Sequence, residues 1–238
     1  SSDLASGKLD SINLKQGAKV AKDENERVAK LLGINKAARV TTVKPSGTSS
    51  LVLGCSSGIH AWHDNYYIRR IRVGKNESMY TYLNIYHPEL LEDDIFKPNQ
   101  QAVISVPQLA PESATTRSES TFDLLERTKR FNLEWVRAGH RKGENYNNVS
   151  CTINVKQGEW KEVGQWVWNN RETYNAMSFL PEDLGSYKQA PFESITKEEY
   201  DELSKTLHTI DLRNVVEMSD STNLVDQAAC AGGACEIV

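Results

Sequence analysis

Thr41 to Leu51, Thr-Thr-Val-Lys-Pro-Ser-Gly-Thr-Ser-Ser-Leu, constrains the fold most, because it joins a β segment to a tight turn and then to a helix start. Val40 to Val43 is short, apolar and β-branched, the composition of a strand. Pro45 stops it, and Gly47 lets the backbone turn where a Cβ would obstruct. A helix beginning near Thr48 leaves its first N–H groups without internal partners, pointing out of the helix end. With the partial positive charge of the dipole and the hydroxyls of Ser46, Thr48, Ser49 and Ser50, that end suits an anion, and Lys44 adds a full charge beside it. The same residues also read as an ordinary capped turn, since Ser and Thr are common N-caps and a Pro-Ser-Gly-Thr turn needs no ligand. The run is not a Walker A loop: no Gly precedes it at the required spacing and no Lys-Thr pair follows.

The rest of the chain continues the alternation. Asp23 to Leu32 reads as a helix with Val28, Leu31 and Leu32 on one stripe and Gly33 as its stop. Gly54 to His63 is loop-like. Tyr66 to Val73 alternates aromatic or aliphatic residues with Arg, as a strand with one wet face does. Glu77 to Tyr86 is helical, Ala102 to Val106 a strand, and Ser120 to Ala138 the clearest amphipathic helix, closed by Gly139. Val149 to Val155 reads as a strand, Glu159 to Tyr174 as a helix, Met177 to Leu180 as a strand and Glu198 to Leu207 as a helix. Strands alternating with helices predict an α/β fold of parallel βαβ units, and the pattern does not choose between an open sheet and a closed barrel. The expected layout is a polar helical lead-in over 1–38, a body over 39–216 carrying the hydroxyl-rich loop, and a flexible tail over 217–238.

That tail is the second informative feature. Cys230 and Cys235 are separated by Ala-Gly-Gly-Ala alone, close to the terminus. Small spacers leave both sulfurs accessible and let them close into a disulfide, so a swinging tail of this kind carries reducing equivalents by thiol–disulfide exchange. A chance pair of thiols or half of a metal site are the competing readings, and zinc wants four ligands where only two are near. Four cysteines in 238 residues do not make a disulfide framework. A net charge of −4 gives no electrostatic reason to expect nucleic acid or an anionic membrane as a partner. No apolar run has the length of a membrane span and the first residues lack a signal-peptide core, so the expected location is the cytoplasm.

The segment Lys44 to Leu51, followed by Ser57-Gly58-Ile59-His60 and Tyr66-Tyr67-Ile68-Arg69-Arg70-Ile71-Arg72, resembles the C-terminal half of the barrel of ribonucleotide reductases. The likeness is to the adenosylcobalamin-dependent class, its ribonucleoside-triphosphate reductases in particular. It implies the C-terminal half of a ten-stranded α/β barrel with a flexible C-terminal tail. It implies further that the loop holds the substrate's phosphates at Ser46, Gly47, Thr48 and Ser49, with Ser50 and Lys44 beside them. The family's terminal Cys pair, which regenerates the active-site dithiol, corresponds to Cys230 and Cys235. Adenosylcobalamin would then be the cofactor, a ribonucleotide the substrate, and thioredoxin or a similar dithiol the reductant. In that chemistry a thiyl radical abstracts the 3′-hydrogen of the ribose and the 2′-hydroxyl leaves as water. The family's radical cysteine lies in a pattern like Asn-x-Cys-x-Glu, which neither Cys55 nor Cys151 matches; Cys151 reads instead as a small core residue. The chain is therefore expected to be a fragment or split subunit that works with an N-terminal half carrying that cysteine. Two other classes remain open on sequence: a non-catalytic nucleotide-binding or regulatory module that uses only the loop, and a thiol oxidoreductase for which only the tail speaks.

His60 and His63 are spaced like ligands on one helical turn, yet Gly58 and Asp64-Asn65 place them in a loop with no third strong ligand, and no metal is expected. Arg69, Arg70 and Arg72 either meet phosphates or form the charged face of a strand. Trp166 reads as packing.

Overall fold

A computed structural model describes residues 12–47, 49–112, 114–182 and 188–217. In chain order the helices are α1 (Leu14–Leu32), α2 (Ser49–Leu53), α3 (Ser78–Tyr86), α4 (Thr121–Phe131), α5 (Trp160–Asn169) and α6 (Lys197–Lys205). The strands are β1 (Tyr66–Gly74), β2 (Leu91–Asp93), β3 (Gln101–Leu109), β4 (Thr152–Val155), β5 (Ser178–Pro181) and β6 (Phe192–Ser194). Thr48, Cys230 and Cys235, three of the expected site residues, lie outside the described residues, as does the rest of the expected tail from 218 onward. The described chain divides into two compact units, one from 12–62 with 114–182 and the other from 63–112 with 188–217.

The first unit is built on parallel pairing. β4 and β5 run parallel, from Thr152 opposite Ser178 to Val155 opposite Pro181, and α5 connects them as a βαβ crossover. On the other edge, Val43 forms a parallel bridge to Val149. Asn148 O and Ser150 N bond Val43, whereas Cys151 O and Val155 O accept from Ser178 and Glu182, so opposite edges of one central segment are used. The expected strand at Val40 to Val43 is reduced to bridges at Arg39 and Val43. Side chains take the place of ladder bonds there: Trp135 Nε1 donates to Thr42 O at 3.1 Å and Asn147 Nδ2 to Thr41 O at 2.9 Å. Leu125 and Ile153, both fully buried, join Val43, Ile59, Phe131, Val136, Val149, Cys151, Val155 and Val163 in one core.

Two helices differ from the sequence pattern. α1 begins nine residues earlier than expected, capped by Asn13, whose side chain accepts from Gln16 N at 3.0 Å. Gly17 and the lysines obscure its first turns, but a Cβ at Gly17 would sit 3.4 Å from the Trp135 ring, so that face of the helix is in close contact. Gly33 closes it at φ 66° as a left-handed cap. α4 carries a capping box of Ser120 and Asp123 and then passes into a π-helical turn over Asn132–Val136. Fully buried Asn132 fixes that turn, donating to Asn175 Oδ1 at 3.1 Å and accepting from Arg137 Nε at 2.9 Å.

The second unit corrects the expectation of parallel strands throughout. Its sheet runs β2-β3-β1-β6 and every neighbouring pair is antiparallel. β1 and β2 are parallel to each other and joined through α3, but β3 turns back between them, Ile104 lying opposite both Ile71 and Leu91. Three-residue β2, Leu-Glu-Asp, has too little pattern to read as a strand. Arg70 and Arg72 form a charged face of β1, Arg70 pairing with Glu92 and Glu193 and Arg72 with buried Asp94 at 2.8 Å, whereas Arg69, on the other face, lies over the Phe192 ring at 4.3 Å. His63 stacks on Phe192 at 5.4 Å. Among the described residues no helix is long and apolar enough to cross a membrane.

Candidate functional site

The hydroxyl-rich loop leaves the parallel edge of the first unit at Val43 and enters α2 at Ser49. Pro45 and Gly47 let the chain leave the sheet, and Ser46 organises the start of the helix. Its hydroxyl accepts from Ser50 N at 3.1 Å and lies 2.5 Å from Ser49 Oγ, which makes it the cap of the short helix. The Ser50 hydroxyl turns back to donate to Ser46 O, and Ser50 is buried. Of the expected phosphate ligands, then, Ser46, Ser49 and Ser50 all have hydroxyls hydrogen-bonded within the turn. Gly47 is half-buried and Ser49 exposed. Lys44 is exposed and donates to Ser150 Oγ at 3.2 Å, which leaves two of its three ammonium protons for another acceptor.

A second loop, 54–60, braces the first from behind. Ser57 Oγ accepts from Ser46 N at 2.9 Å. Gly58, at φ 59°, lies flat on the preceding turn: a Cβ there would be 3.0 Å from Lys44 O and 3.4 Å from Pro45 Cα. Its backbone conformation and that approach both require glycine. His60 then reaches the central strand, its Nε2 accepting from Thr152 N at 3.0 Å while Nδ1 meets Ser57 O at 2.9 Å. Burial pushes the His60 imidazole below its ordinary range; the bond to Ser57 opposes this, and the charges of Arg117 and Arg127 add to it. Arg127 donates to Ile59 O at 2.9 Å and is held by Glu119 at 2.5 Å and 3.2 Å.

Sequence reasoning placed His60 in a loop and missed this bracing role. The only available signal was the Ser57-Gly58-Ile59-His60 run, which does not announce what the imidazole will bond. Cys151 is buried in the core as expected, with Sγ 3.3 Å from Thr128 Oγ1, and burial raises its thiol above the ordinary range. Cys55 is exposed. Trp166 packs on the core through its ring and donates Nε1 to Glu126 at 2.6 Å. Among the described residues no group of three or more His, Cys, Asp or Glu side chains could hold a metal ion.

No protein-family profile matches the chain. Curated relatives do. The adenosylcobalamin-dependent ribonucleoside-triphosphate reductase of Lactobacillus acidophilus is 34% identical over 216 residues, 87% of this chain and 27% of that protein. That of Lactobacillus helveticus is 32% identical with the same coverage, and that of Euglena gracilis is 28% identical over 93% of this chain and 30% of its own length. A crystal structure of a B12-dependent, class II ribonucleotide reductase superposes with a TM-score of 0.68 at 27% identity, covering 85% of this chain and 27% of that one. The region matched is the C-terminal part of those proteins, and the chain spans less than a third of their length.

Proposed function

We infer, from homology to the C-terminal part of the adenosylcobalamin-dependent ribonucleoside-triphosphate reductases, that this chain grips the substrate's phosphates and re-reduces the active-site disulfide in a ribonucleotide reductase. The observation that carries this reading is the similarity itself, which runs over 87% of the chain. The loop geometry is compatible with it: Ser46 and Ser50 set the turn, beside which Gly47 is half-buried and Ser49 exposed. In this reading the chain forms the C-terminal half of the ten-stranded barrel, and an N-terminal half supplies the radical cysteine.

The substrate is a ribonucleoside triphosphate. Backbone N–H groups from Gly47 to Ser49, the hydroxyls of Thr48 and Ser49, and the Lys44 ammonium donate to its phosphate oxygens. Fixing that anionic end holds the ribose in register for hydrogen abstraction, which is the positional part of the rate enhancement. Replacement of the 2′-hydroxyl by hydrogen consumes two electrons and leaves a cysteine pair as a disulfide. A thiolate of Cys230 or Cys235 attacks that disulfide, and its partner completes the exchange. The active-site pair returns to the dithiol and the tail becomes the disulfide, which a thioredoxin-type dithiol reduces in turn. Adenosylcobalamin, when bound, supplies the radical initiation. His60 is not a ligand for its cobalt, because both ring nitrogens are already bonded within the chain.

Two substitutions test the reading in the assembled enzyme. Thr48→Ala with Ser49→Ala should raise KM for the nucleoside triphosphate about tenfold or more with kcat little changed, as loss of hydrogen bonds to a charged group does. An unchanged KM removes the phosphate assignment. Cys230→Ser with Cys235→Ser should abolish multiple turnover with thioredoxin while sparing a single turnover from the prereduced enzyme. Sustained turnover at the wild-type rate would remove the tail from the mechanism.

A further inference from the structure

We propose that His60 is the positioning residue of the substrate-phosphate loop: as the neutral ring with its proton on Nδ1 it ties Ser46 and Ser57 to the central strand, and its protonation releases them. This deepens the phosphate-loop reading and rests on it.

The tie is a relay of four bonded groups. Thr152 N–H donates to His60 Nε2 at 3.0 Å. A ring nitrogen that accepts cannot carry the proton, so in the neutral imidazole the proton is on Nδ1, where it donates to Ser57 O at 2.9 Å. The His60 amide donates to the same carbonyl at 3.0 Å, which closes a turn and fixes the ring relative to its own backbone. From that turn, Ser57 Oγ accepts the amide of Ser46, the residue whose hydroxyl caps α2.

The sheet explains why the acceptor is needed where it is. Asn148 and Ser150 use their outer edge to bond Val43, after which Pro45 leads the chain away. Thr152 is the next residue with that orientation, because Cys151 turns the other way to accept from Ser178. Its N–H has no strand to donate to, and a backbone donor left unpaired beside the core costs about as much as a lost hydrogen bond. His60 occupies the position the missing strand would have filled. The loop is thereby registered against the sheet at the place where its own chain ceases to pair.

Only the neutral ring can do this. An imidazolium has two donors and no acceptor, so it would set N–H against the Thr152 N–H. Its charged surroundings are the guanidiniums of Arg117 and Arg127; Glu119 is paired with Arg127, and Glu182 acts on Arg117. Burial and those two cations favour the neutral form. Because the folded ring gives up its proton more readily than an unfolded histidine, its contribution is complete above about pH 6.5 and declines as the pH falls below it.

Two substitutions separate the bonds. In His60→Gln the side-chain carbonyl can reach Thr152 as a non-titrating acceptor, whereas the side chain of His60→Asn is too short. In the assembled enzyme the observables are hydrogen exchange of the segments containing Ser46–Ser57 and Thr152, and KM for the nucleoside triphosphate across pH. Wild type should show KM rising only on acidification past the ordinary histidine range, because the buried ring takes up its proton later than a free one, with kcat changing less. His60→Asn should speed exchange in both segments and raise KM about tenfold at every pH. His60→Gln should keep wild-type exchange and a KM within about threefold of wild type, and should lose the acid rise. Unchanged exchange in His60→Asn overturns the proposal, as does an acid rise that persists in His60→Gln. Faster exchange with unchanged KM upholds the tie and instead refutes the phosphate-loop reading, so the two failures are told apart.

Discussion

Gly139→Ala is expected to destabilise the first unit by about 2–4 kcal/mol, the sum of an overpacked site and a lost buried hydrogen bond. Gly139 has no unusual backbone conformation to protect; what it protects is the crossing of two backbones. A Cβ there would fall inside the Thr41 hydroxyl and lie 2.6 Å from Thr41 Cβ and Cγ2. Thr41 has nowhere to retreat. It is 3% exposed, its Oγ1 donates to Trp135 O at 2.7 Å, and Asn147 holds its carbonyl. The backbones on either side are bonded as well, Val40 N to Gly139 O and Arg141 N to Ala38 O. Relief must come by moving segment 38–43, which delivers the chain into the hydroxyl-rich loop. Urea denaturation is the measurement, and adding Thr41→Gly should recover most of the packing loss because it removes the opposing atoms. A single variant within 0.5 kcal/mol of wild type would show that the crossing is looser than these distances say.

That position also shows what the sequence could and could not announce. Gly139 was legible as a helix stop, and it lies in the turn just past the helical run that ends at Val136, but the reason no other residue fits lies across the fold at Thr41, about a hundred positions away. The same division runs through the molecule. Long periodic segments such as β1, β3 and α4 are readable because burial repeats at the period of the element. β2 is not, since three residues hold only about one and a half repeats of the strand period, and missing it hid the antiparallel turn of β3 between β1 and β2. The Val40–Val43 run is apolar and β-branched as a strand should be, yet its carbonyls are met by Trp135 and Asn147 rather than by a neighbouring strand. Composition cannot distinguish those partners. In the site, Ser46 and Ser49 stood out through residue type, whereas His60 became meaningful only when Thr152 was placed beside it.

Arg127→Met is expected to cost about 3 kcal/mol, more than its position in a polar stretch of α4 suggests. Its guanidinium makes a two-pronged pair with Glu119, at 2.5 Å and 3.2 Å, and the two side chains are only 9% and 11% exposed. Screening is weak at such depth, and removing the cation strands a carboxylate that has left water. The Arg127 Nη1 that bonds Glu119 also donates to Ile59 O, one residue before His60, so the substitution frees an acceptor in the bracing loop as well. The two effects can be separated. Replacing both members, Arg127→Met with Glu119→Met, removes the stranded charge and should restore roughly half or more of the stability, since a buried pair is often matched by apolar groups of similar volume. It cannot restore the bond to Ile59, so hydrogen exchange in segment 54–60 should stay accelerated in the double variant while the unfolding midpoint recovers. Additive losses from the two single substitutions would mean that the pair is solvated and interacts weakly. Recovery of the midpoint together with full protection of 54–60 would mean that His60 and Gly58 hold that loop without help from α4.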